Sequence, residues 1–340
     1  MTSRMFNKGC GSIAVHVCGD DVRLLQLSRD HNRVIDAARG EIPAGDDRPA
    51  AIAEAIRGAR NGRRFRGRKA VICLGAEQLH LQNVRIPKGE RVDTATLVVQ
   101  EAASRIPFPV EEVELRHLDA ADVRVSDNML REIIVIACHK PRMEDLLSAA
   151  EQGGLNPIAV ETEPGALLRN LNRQFRRGED RQGRVLIVHI GPTATAVMIA
   201  QDTQPLFVKY TALGGESLNQ VVAKRLDVSA QRAAQLRRSA DDDLAETIHE
   251  STRSLMEQLA AELELCVRYH SVTFRGRPLE RLLLCGPEAS AGLLDSLAAR
   301  LELPGALSDP FARIADAPHA VCGGQWDVAT GLAQHEATAP

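Results

Sequence analysis

The sequence predicts an α/β fold built from two related lobes, and three observations lead to this prediction. Residues 184–216 form three apolar runs rich in Val, Ile and Leu, separated by short turns and followed by paired glycines, which is typical of an antiparallel meander. Residues 13–41 follow the same plan, and a histidine stands near the end of the first strand in both places, at His16 and His189. Helical periodicity prevails between and after the meanders. A duplicated unit indicates two lobes of common design. We predict that the turns of the hairpins at 12–27 and 184–200 face each other across a cleft, with His16 and His189 on opposite sides of its floor.

Composition narrows the class of protein. The chain has 340 residues, 44% of them hydrophobic and 26% charged, so it can bury a substantial core in more than one lobe. A formal net charge of −3 gives no overall attraction to nucleic acid or membrane, and no nucleic-acid partner is expected. The N-terminal segment MTSRMFNKGCGS lacks an apolar signal region, and no run is long enough to span a bilayer. We therefore expect membrane association only through a partner or a surface patch. The cysteines lack metal-type spacing and are expected to be free thiols: Cys10, Cys18, Cys73, Cys138, Cys266, Cys285 and Cys322.

In the first half, local patterns predict strands and helices in order. Proline and glycine positions limit several of them, as at Pro107 and at Gly153–Gly154, and Asp93 is the expected N-cap of its helix. The predicted strands are 13–17, 22–27, 33–41, 70–74, 78–86, the run after the 106–110 corner, 130–139 and 156–162, and the helices are 48–58, 94–105, 142–152 and 163–173. The polar segment 176–184 is the predicted linker between the halves.

The basic stretch 57–69, RGARNGRRFRGRK, allows two interpretations. It is either a solvated loop or a contact for anionic lipid headgroups. The sequence leaves both open.

In the second half the pattern becomes helical after Gly214–Gly215. Predicted helices cover residues from Leu218 to Leu226, 229–238, a long amphipathic segment from Ile248 to Val267, 291–301 and 326–334, and a buried strand covers 278–285.

The turn between the first two runs of the second meander has the composition of a phosphate loop. It reads Gly191-Pro192-Thr193-Ala194-Thr195, and a glycine turn lets backbone N–H groups converge on an anion while the hydroxyls of Thr193 and Thr195 add donors. It resembles the second phosphate loop of the actin-like ATPase superfamily, except that His189 stands where that superfamily usually has an acid.

Five segments, in order along the chain, resemble the PilM family of type IV pilus assembly, which is akin to the division protein FtsA. The most specific is EAASRIPFPVEEVEL at 101–115, which is similar to the inserted subdomain of that family. The others are GGLNPIAVETEPGALLRNL at 153–171, TALGGESLNQVVAKRLDVSAQRAAQLRR at 211–238, LLLCGPEASAGLLDSLAARLELP at 282–304 and DPFARI at 309–314. The resemblance extends from Ile13 to Leu332.

The resemblance implies an actin-like ATPase (ribonuclease H-like) fold, with two lobes around a nucleotide cleft and an FtsA-type 1C insertion. It divides the chain into subdomain 1A (8–74 and 155–183), inserted subdomain 1C (75–154), subdomain 2A (184–213 and 279–335) and subdomain 2B (214–278). It also implies ATP and Mg²⁺ as cofactors, and a groove for the cytoplasmic N-terminal peptide of the inner-membrane protein PilN. The expected location is cytoplasmic, peripheral to the inner membrane, and self-association is a further expectation.

The resemblance also locates the nucleotide site and shows where this chain departs from it. The positions expected to contact nucleotide are Gly19, Asp20, Asp21, Gly191, Thr193, Thr195, Gly214, Gly215, Arg237 and Gly286. The positions where this chain departs from the family pattern are His16, Cys18, His189, Pro192, Ala234, Pro287 and Glu288. Mg²⁺ prefers oxygen ligands, and proline removes a backbone donor, so these departures weaken a Mg-ATP site.

Three interpretations of His16 and His189 remain open. The imidazoles bond to neighbouring loop backbone, or they form part of a transition-metal site, or residual nucleotide binding persists beside them without efficient hydrolysis. No third metal ligand is assignable, so no metal residue and no catalytic residue is predicted. Asp20 and Asp21 could supply oxygen ligands, but they would repel phosphate.

Two functions follow from these features. The first is a platform that docks a PilN-like protein and has weakened or lost ATP hydrolysis, and the second is an active ATPase of the same assembly or a sugar-kinase relative. The missing acids at positions 16 and 189 favour the platform, and no substrate-base aspartate supports a sugar kinase. Fold analogy alone does not establish activity. For the partner groove we predict the strand 78–86 and the corner residues Ile106, Phe108 and Val110, although Phe108 is equally suited to a core role.

Overall fold

Strands and helices are divided among three sheets and the helices that cover them. The computed structural model describes residues 9–88, 93–125, 128–174, 183–238, 242–274, 276–317 and 323–335. The strands are β1 (Cys10–Cys18), β2 (Asp21–Ser28), β3 (Val34–Glu41), β4 (Lys69–Leu74), β5 (Leu79–Pro87), β6 (Val113–Val125), β7 (Asn128–His139), β8 (Asn156–Thr162), β9 (Arg184–Ile190), β10 (Thr195–Gln201), β11 (Gln204–Thr211), β12 (Leu279–Cys285) and β13 (Gly305–Leu307). The helices are α1 (Arg48–Arg60), α2 (Thr94–Ala103), α3 (Lys140–Gln152), α4 (Glu163–Gln174), α5 (Gly215–Leu226), α6 (Ala230–Arg238), α7 (Asp242–Thr273), α8 (Ala291–Leu301) and α9 (Asp327–Ala333).

The two large sheets share one topology. The first has the strand order β3-β2-β1-β4-β8, and the second has the order β11-β10-β9-β12-β13. In each, an antiparallel meander is extended by two parallel strands, because β1 pairs with β4 as β9 pairs with β12. The predicted duplication and the two-lobed α/β fold are therefore confirmed. The boundaries between subdomains stay a prediction.

A continuous apolar core joins the two lobes. On one face of the first sheet, α1 and α3 pack against β1, β2 and β4 around Ile56 and Ile72. On the other face α4 and α9 contribute to a cluster that also contains Ile187 and Met198 of the second sheet. Because fully buried side chains from both lobes contact the same cluster, hydrophobic burial stabilises the lobes against separation. The second lobe has its own core beneath α7 and α8.

Helices α4 and α9 cross at very close range. Gly331 of α9 faces the backbone of Ala166 in α4, and a Cβ placed on Gly331 would collide with the Ala166 carbonyl oxygen. Arg169 of α4 donates to the Gly331 carbonyl (3.0 Å), and Asn170 donates to the Asp327 carbonyl (3.2 Å). The last helix is thereby fixed to the helix that leaves the first lobe.

The inserted segment forms a third sheet, of order β5-β7-β6, with α2 packed on one face. Its β5 edge lies beside β11, the edge strand of the second lobe. The Asn83 side chain donates to the Val208 carbonyl (2.8 Å) and accepts from the Val208 N–H (3.4 Å), as a backbone peptide group would. Gln204 of β11 donates to the Ala120 carbonyl of β6 (2.8 Å). These bonds join the insertion to the second lobe, and Leu79 of β5 and Cys138 of β7 join it to the core of the first lobe.

Local signals located most elements to within a few residues. The Asp93 side chain accepts from Thr96 N–H, as predicted for an N-cap, and the bounds 156–162 and 291–301 are confirmed. The helix predicted for 94–105 ends at Ala103, where the Arg105 N–H donates to the Ala102 carbonyl in the tighter i−3 pattern of a last turn. Most of the predicted linker, and Cys322, lie outside the described residues. Within the described ranges no helix is long and apolar enough to cross a membrane.

Candidate functional site

The turns β1–β2 and β9–β10 face each other at the floor of the cleft between the lobes. The first is a tight turn in which Gly19 adopts a left-handed φ of 59°, a conformation that glycine tolerates without strain. A Cβ on Gly19 would lie 3.1 Å from the Pro192 Cβ, so the two turns are almost in contact. Arg48 of α1 donates to the Gly19 carbonyl and pairs with Asp20 (3.2 Å), while Asp21 pairs with Arg39 (2.7 Å). The predicted facing of the two hairpins is confirmed.

The two histidines are buried beneath these turns and share a carboxylate neighbour. His16 is 3% exposed and His189 is 2% exposed. The Nδ1 of His189 lies 2.8 Å from Oε1 of Glu163, the first residue of α4, although the ring lacks the orientation of a directed hydrogen bond. Tyr210 of β11 donates its hydroxyl to Glu163 (3.1 Å). The expectation that the imidazoles bond to loop backbone is therefore wrong for His189, which contacts a carboxylate of the opposite lobe.

Burial sets the protonation states of this group. Desolvation, reinforced by the positive charge of Arg23, lowers the pKa of His16 to about 3, so that its imidazole is neutral at physiological pH. Desolvation raises the pKa of the Cys18 thiol to about 12. For Glu163, burial favours the protonated form, but the contacts with His189 and Tyr210 outweigh it and the pKa is lowered. The buried carboxylate at the cleft floor is therefore Glu163 of α4, which contacts His189 and Tyr210, whereas the family resemblance implies an acid in each phosphate loop.

The structure offers no support for a transition-metal site at His16 and His189. Among the described residues no group of three His, Cys, Asp or Glu side chains is placed to hold a metal ion. Among the same residues, the Nδ1 of His16 has no hydrogen-bond partner.

Much of the donor capacity of the second loop is used within the protein. Gly191 N–H donates to the Ala194 carbonyl (2.9 Å) and Gly215 N–H to the Gly191 carbonyl (3.0 Å). Gly214 lies so close to the loop that a Cβ there would collide with the Pro192 carbonyl. Thr195 is fully buried and donates its hydroxyl to the Leu213 carbonyl (2.6 Å), so the structure places it away from the cleft. Thr193 is partly buried in the loop.

The region that the resemblance assigns to adenosine is filled by an ion pair. Glu288 lies 2.5 Å from Arg237 and 3.3 Å from Arg238, and its carboxylate occupies the space beside Gly215. Arg237 also donates to the Asn219 side chain (2.6 Å). The donors of Arg237 are therefore directed at protein atoms.

The neighbouring loop is tied to the last helix. Gly286 N–H donates to the Asp327 carboxylate (3.0 Å), which also accepts from Ser308 (2.6 Å). Burial raises the pKa of Asp327 to about 6 despite these bonds.

A cavity of about 850 Å³ remains at the mouth of the cleft, and charges of both signs line it together with Ala234 and Pro287. Its acidic residues are Asp20, Asp21, Glu41 and Glu216, and its basic residues are Arg23, Arg39 and Arg238. Burial, with repulsion from Asp20 and Glu77, raises the pKa of Glu216, which indicates that these carboxylates repel one another. Histidines stand where the family resemblance implies the acids that organise Mg²⁺, and the Arg237–Glu288 pair occupies the position that the resemblance assigns to adenosine.

The predicted partner residues lie on the inserted sheet. Ile106 is buried in the core beneath α2, and Val110 begins a short 3-10 turn. The Phe108 ring stacks on His139 (centroids 4.3 Å) and meets His80 edge-on (5.4 Å), with the Arg142 guanidinium 5.6 Å from its centroid. Phe108 is only partly buried.

A second cavity, of about 500 Å³, lies between parts of β5 and β11, and His80 lines it. Phe207 and Tyr269 of the second lobe line its far wall.

Sequence reasoning missed Glu163, Tyr210 and Asp327. Glu163 opens a helix immediately before a proline, and this is the only local signal that it offers. Tyr210 is one of two tyrosines in the chain, and Asp327 follows the single tryptophan. Their contacts depend on how the lobes pack, so no local pattern could pair them.

The two matching lobes and the cleft between their facing turns define a protein of the actin-like ATPase fold. A solved PilM-PilN type IV pilus biogenesis complex is similar, with a TM-score of 0.79 and 22% identity over 96% of this chain and 97% of that chain. The ethanolamine utilization protein EutJ from Carboxydothermus hydrogenoformans has a TM-score of 0.60 and 12% identity over 95% and 89% of the two chains. MreB 5 of Spiroplasma citri bound to AMPPNP has a TM-score of 0.53 and 8% identity over 94% and 93%. These likenesses show the fold.

The family follows from the sequence model for the type IV pilus assembly protein PilM, which matches residues 31–333. The chain belongs to that family.

Proposed function

We propose that this protein is a platform of a type IV pilus or related secretion assembly, which docks the cytoplasmic N-terminal peptide of a PilN-like inner-membrane protein and has weakened or lost ATP hydrolysis. The observation that carries the proposal is the buried contact of Glu163 with His189 and Tyr210. It joins the lobes at the cleft floor through protein groups alone, where the family resemblance implies Mg²⁺ and phosphate. The neutral His16 and the Arg237–Glu288 pair support the same conclusion.

Phosphate release in the presence of Mg-ATP tests the catalytic half of the proposal. We expect negligible turnover by the unmodified protein, because an imidazole cannot supply the oxygen ligand that organises Mg²⁺. The double variant His16→Asp with Cys18→Gly should also stay inactive while Glu288 fills the adenosine position. Robust Mg-dependent hydrolysis by the unmodified protein would show that it is an active ATPase.

The solved PilM-PilN complex supports the docking half. The inserted sheet has a core of its own around Ile133 and Val135, which supports the surface that it presents. Phe108 lies at the edge of that core, between two imidazoles and a guanidinium, and an extended peptide could contact its exposed part and pair with nearby backbone. The protein would then be held at the cytoplasmic face of the inner membrane through this partner.

Titration of a labelled N-terminal peptide from a PilN-like protein tests this docking site. We expect Phe108→Leu to weaken binding by about tenfold, since an aromatic contact at an interface is commonly worth more than 1 kcal/mol. The matched control is Phe311→Leu, which alters an aromatic contact with Trp326 and lies outside the inserted sheet. Thermal unfolding must show that both variants are folded. If Phe207→Leu abolishes binding while Phe108→Leu does not, the peptide occupies the cavity between β5 and β11 and the assigned site is wrong.

A further inference from the structure

A third cavity lies at the end of the first lobe away from the cleft. Its volume is about 560 Å³, and it is formed where β1, β4 and β8 begin, together with the β2–β3 turn and His335, the second residue after the last helix. The lining residues are Cys10, Gly11, Ser12, Arg29, His31, Arg66, Gly67, Arg68, Lys69, Ile158 and His335. Strand β1 runs from this cavity to the cleft floor, so the two sites are about 26 Å apart at the usual rise per residue of a strand.

The lining is strongly cationic although the whole chain has a net charge of −3. Four permanent cations, Arg29, Arg66, Arg68 and Lys69, line the cavity, and none of its lining residues is acidic. Among the described residues, the side chains of Arg29, Arg66 and Lys69 have no ion-pair partner. Bringing like charges together without counterions disfavours folding, so a bound anion would relieve a repulsion that the protein alone retains.

Buried contacts hold the backbone around Arg66 in place. The Gln26 side chain, 1% exposed, donates to the carbonyls of Arg66 and Gly11 (both 2.8 Å) and accepts from the Arg66 N–H (2.8 Å). Gly67 adopts a left-handed φ of 74°, which turns the chain between the two arginines. Arg68 lines the cavity and donates through Nε to the Gly154 carbonyl (2.8 Å). The backbone that carries Arg66 and Arg68 is therefore already in place before an anion binds.

We propose that this cavity is a binding site for phosphate groups, supplied either by a small phosphorylated compound or by a phospholipid headgroup. Arginine is suited to bidentate contact with phosphate oxygens, and lysine adds a point charge. The volume accommodates more than one phosphate group, and the aliphatic side chain of Ile158 provides an apolar wall. The site is separate from the cleft and does not depend on the proposed loss of ATP hydrolysis.

The test compares two variants of the full chain with equal changes in charge. Arg66→Gln with Lys69→Gln removes two cations from the cavity, and Arg64→Gln with Lys224→Gln removes one arginine and one lysine from exposed positions outside it. One arm measures the thermal stability of each protein against increasing inorganic pyrophosphate. The other measures co-sedimentation with phosphatidylcholine vesicles, with and without phosphatidylglycerol.

In at least one arm we expect the unmodified protein and the control variant to respond equally, and the cavity variant to bind at least about tenfold more weakly, because two charge-assisted contacts are lost. A pyrophosphate response assigns a soluble ligand, and a phosphatidylglycerol response assigns a headgroup. Equal weakening of binding in both variants would show that the effect depends only on net charge, and it would overturn the proposal. The absence of any response by the unmodified protein in both arms would also overturn it.

Discussion

At His16 the fold holds a titratable group in its neutral form. The ordinary pKa of a histidine is 6.5, and burial with Arg23 lowers that of His16 to about 3. Between these two values the unfolded chain binds a proton at this position and the folded chain does not. Acid therefore favours unfolding through His16 as the pH falls below 6.5. Glu163 has a lowered pKa, so its contribution to stability is present above the ordinary pKa of a glutamate and is lost as the pH falls through the lowered value.

Replacing His16 should flatten the acid dependence of stability. From pH 6.5 to pH 5 this one group lowers the free energy of unfolding by about 2 kcal/mol. Urea titrations of His16→Gln at both values should show that much less change than the unmodified protein. His270, whose pKa burial lowers to about 4, contributes in the same direction, so some dependence remains. The exposed His249→Gln is the control, and an unchanged slope in His16→Gln would contradict the protonation state assigned here.

The repeated plan of the meanders was sufficient to predict that His16 and His189 approach each other, because equivalent positions in a duplicated unit face the same cleft. It was not sufficient to find Glu163. That residue reaches His189 only when α4 and the second sheet pack together, and the polar signal at Glu163 is indistinguishable from an ordinary acidic first turn of a helix.

Among the elements, α4 and α9 depend on each other most closely. Gly331 has no side chain and Ala166 has only a methyl group, so the two backbones can touch. Asp327 at the start of α9 accepts a hydrogen bond from the Gly286 N–H and so holds that loop. Movement of α9 would therefore displace both the helix that carries Glu163 and the loop next to Glu288.

Gly331→Ala should destabilise the protein by about 2 kcal/mol or more, because the added methyl group has no room against the Ala166 carbonyl. Gly292→Ala in α8 is the matched control. A Cβ there meets nothing within 4 Å, and alanine is the better helix former, so its stability should stay equal or rise by about 0.5–1 kcal/mol. Chemical unfolding of both variants measures the difference. Equal stabilities would show that the two helices separate at little cost.

Most elements were predictable from local signals, such as the Asp93 N-cap and the alternation in the β5 strand. The short strand β13 was not predicted, because its three exposed residues form a strand only by pairing with β12. The contact between β5 and β11 was equally inaccessible, since it joins two parts of the chain through one asparagine side chain.

On the scale of the whole molecule, the apolar core that extends through both lobes predicts a single cooperative unfolding transition. Trp326, the single tryptophan, is buried in that core, so its fluorescence follows the unfolding of the core. Circular dichroism follows all helices and strands. The two signals should change together. Leu167→Ala in the first lobe and Met198→Ala in the second should each shift the same transition by about 2–5 kcal/mol. Loss of the tryptophan signal before the helical signal would indicate lobes that unfold separately.

The Asn83 side chain also bears on how this protein behaves at high concentration. An uncovered edge strand is a template for pairing with strands of other molecules. The Asn83 amide occupies the donor and the acceptor of Val208 in β11, and the same contact brings β5 alongside, so each edge shields the other from intermolecular pairing. Expression of either half of the chain alone would uncover one of these edges, and aggregation of the separate halves would then have its origin at β5 and β11.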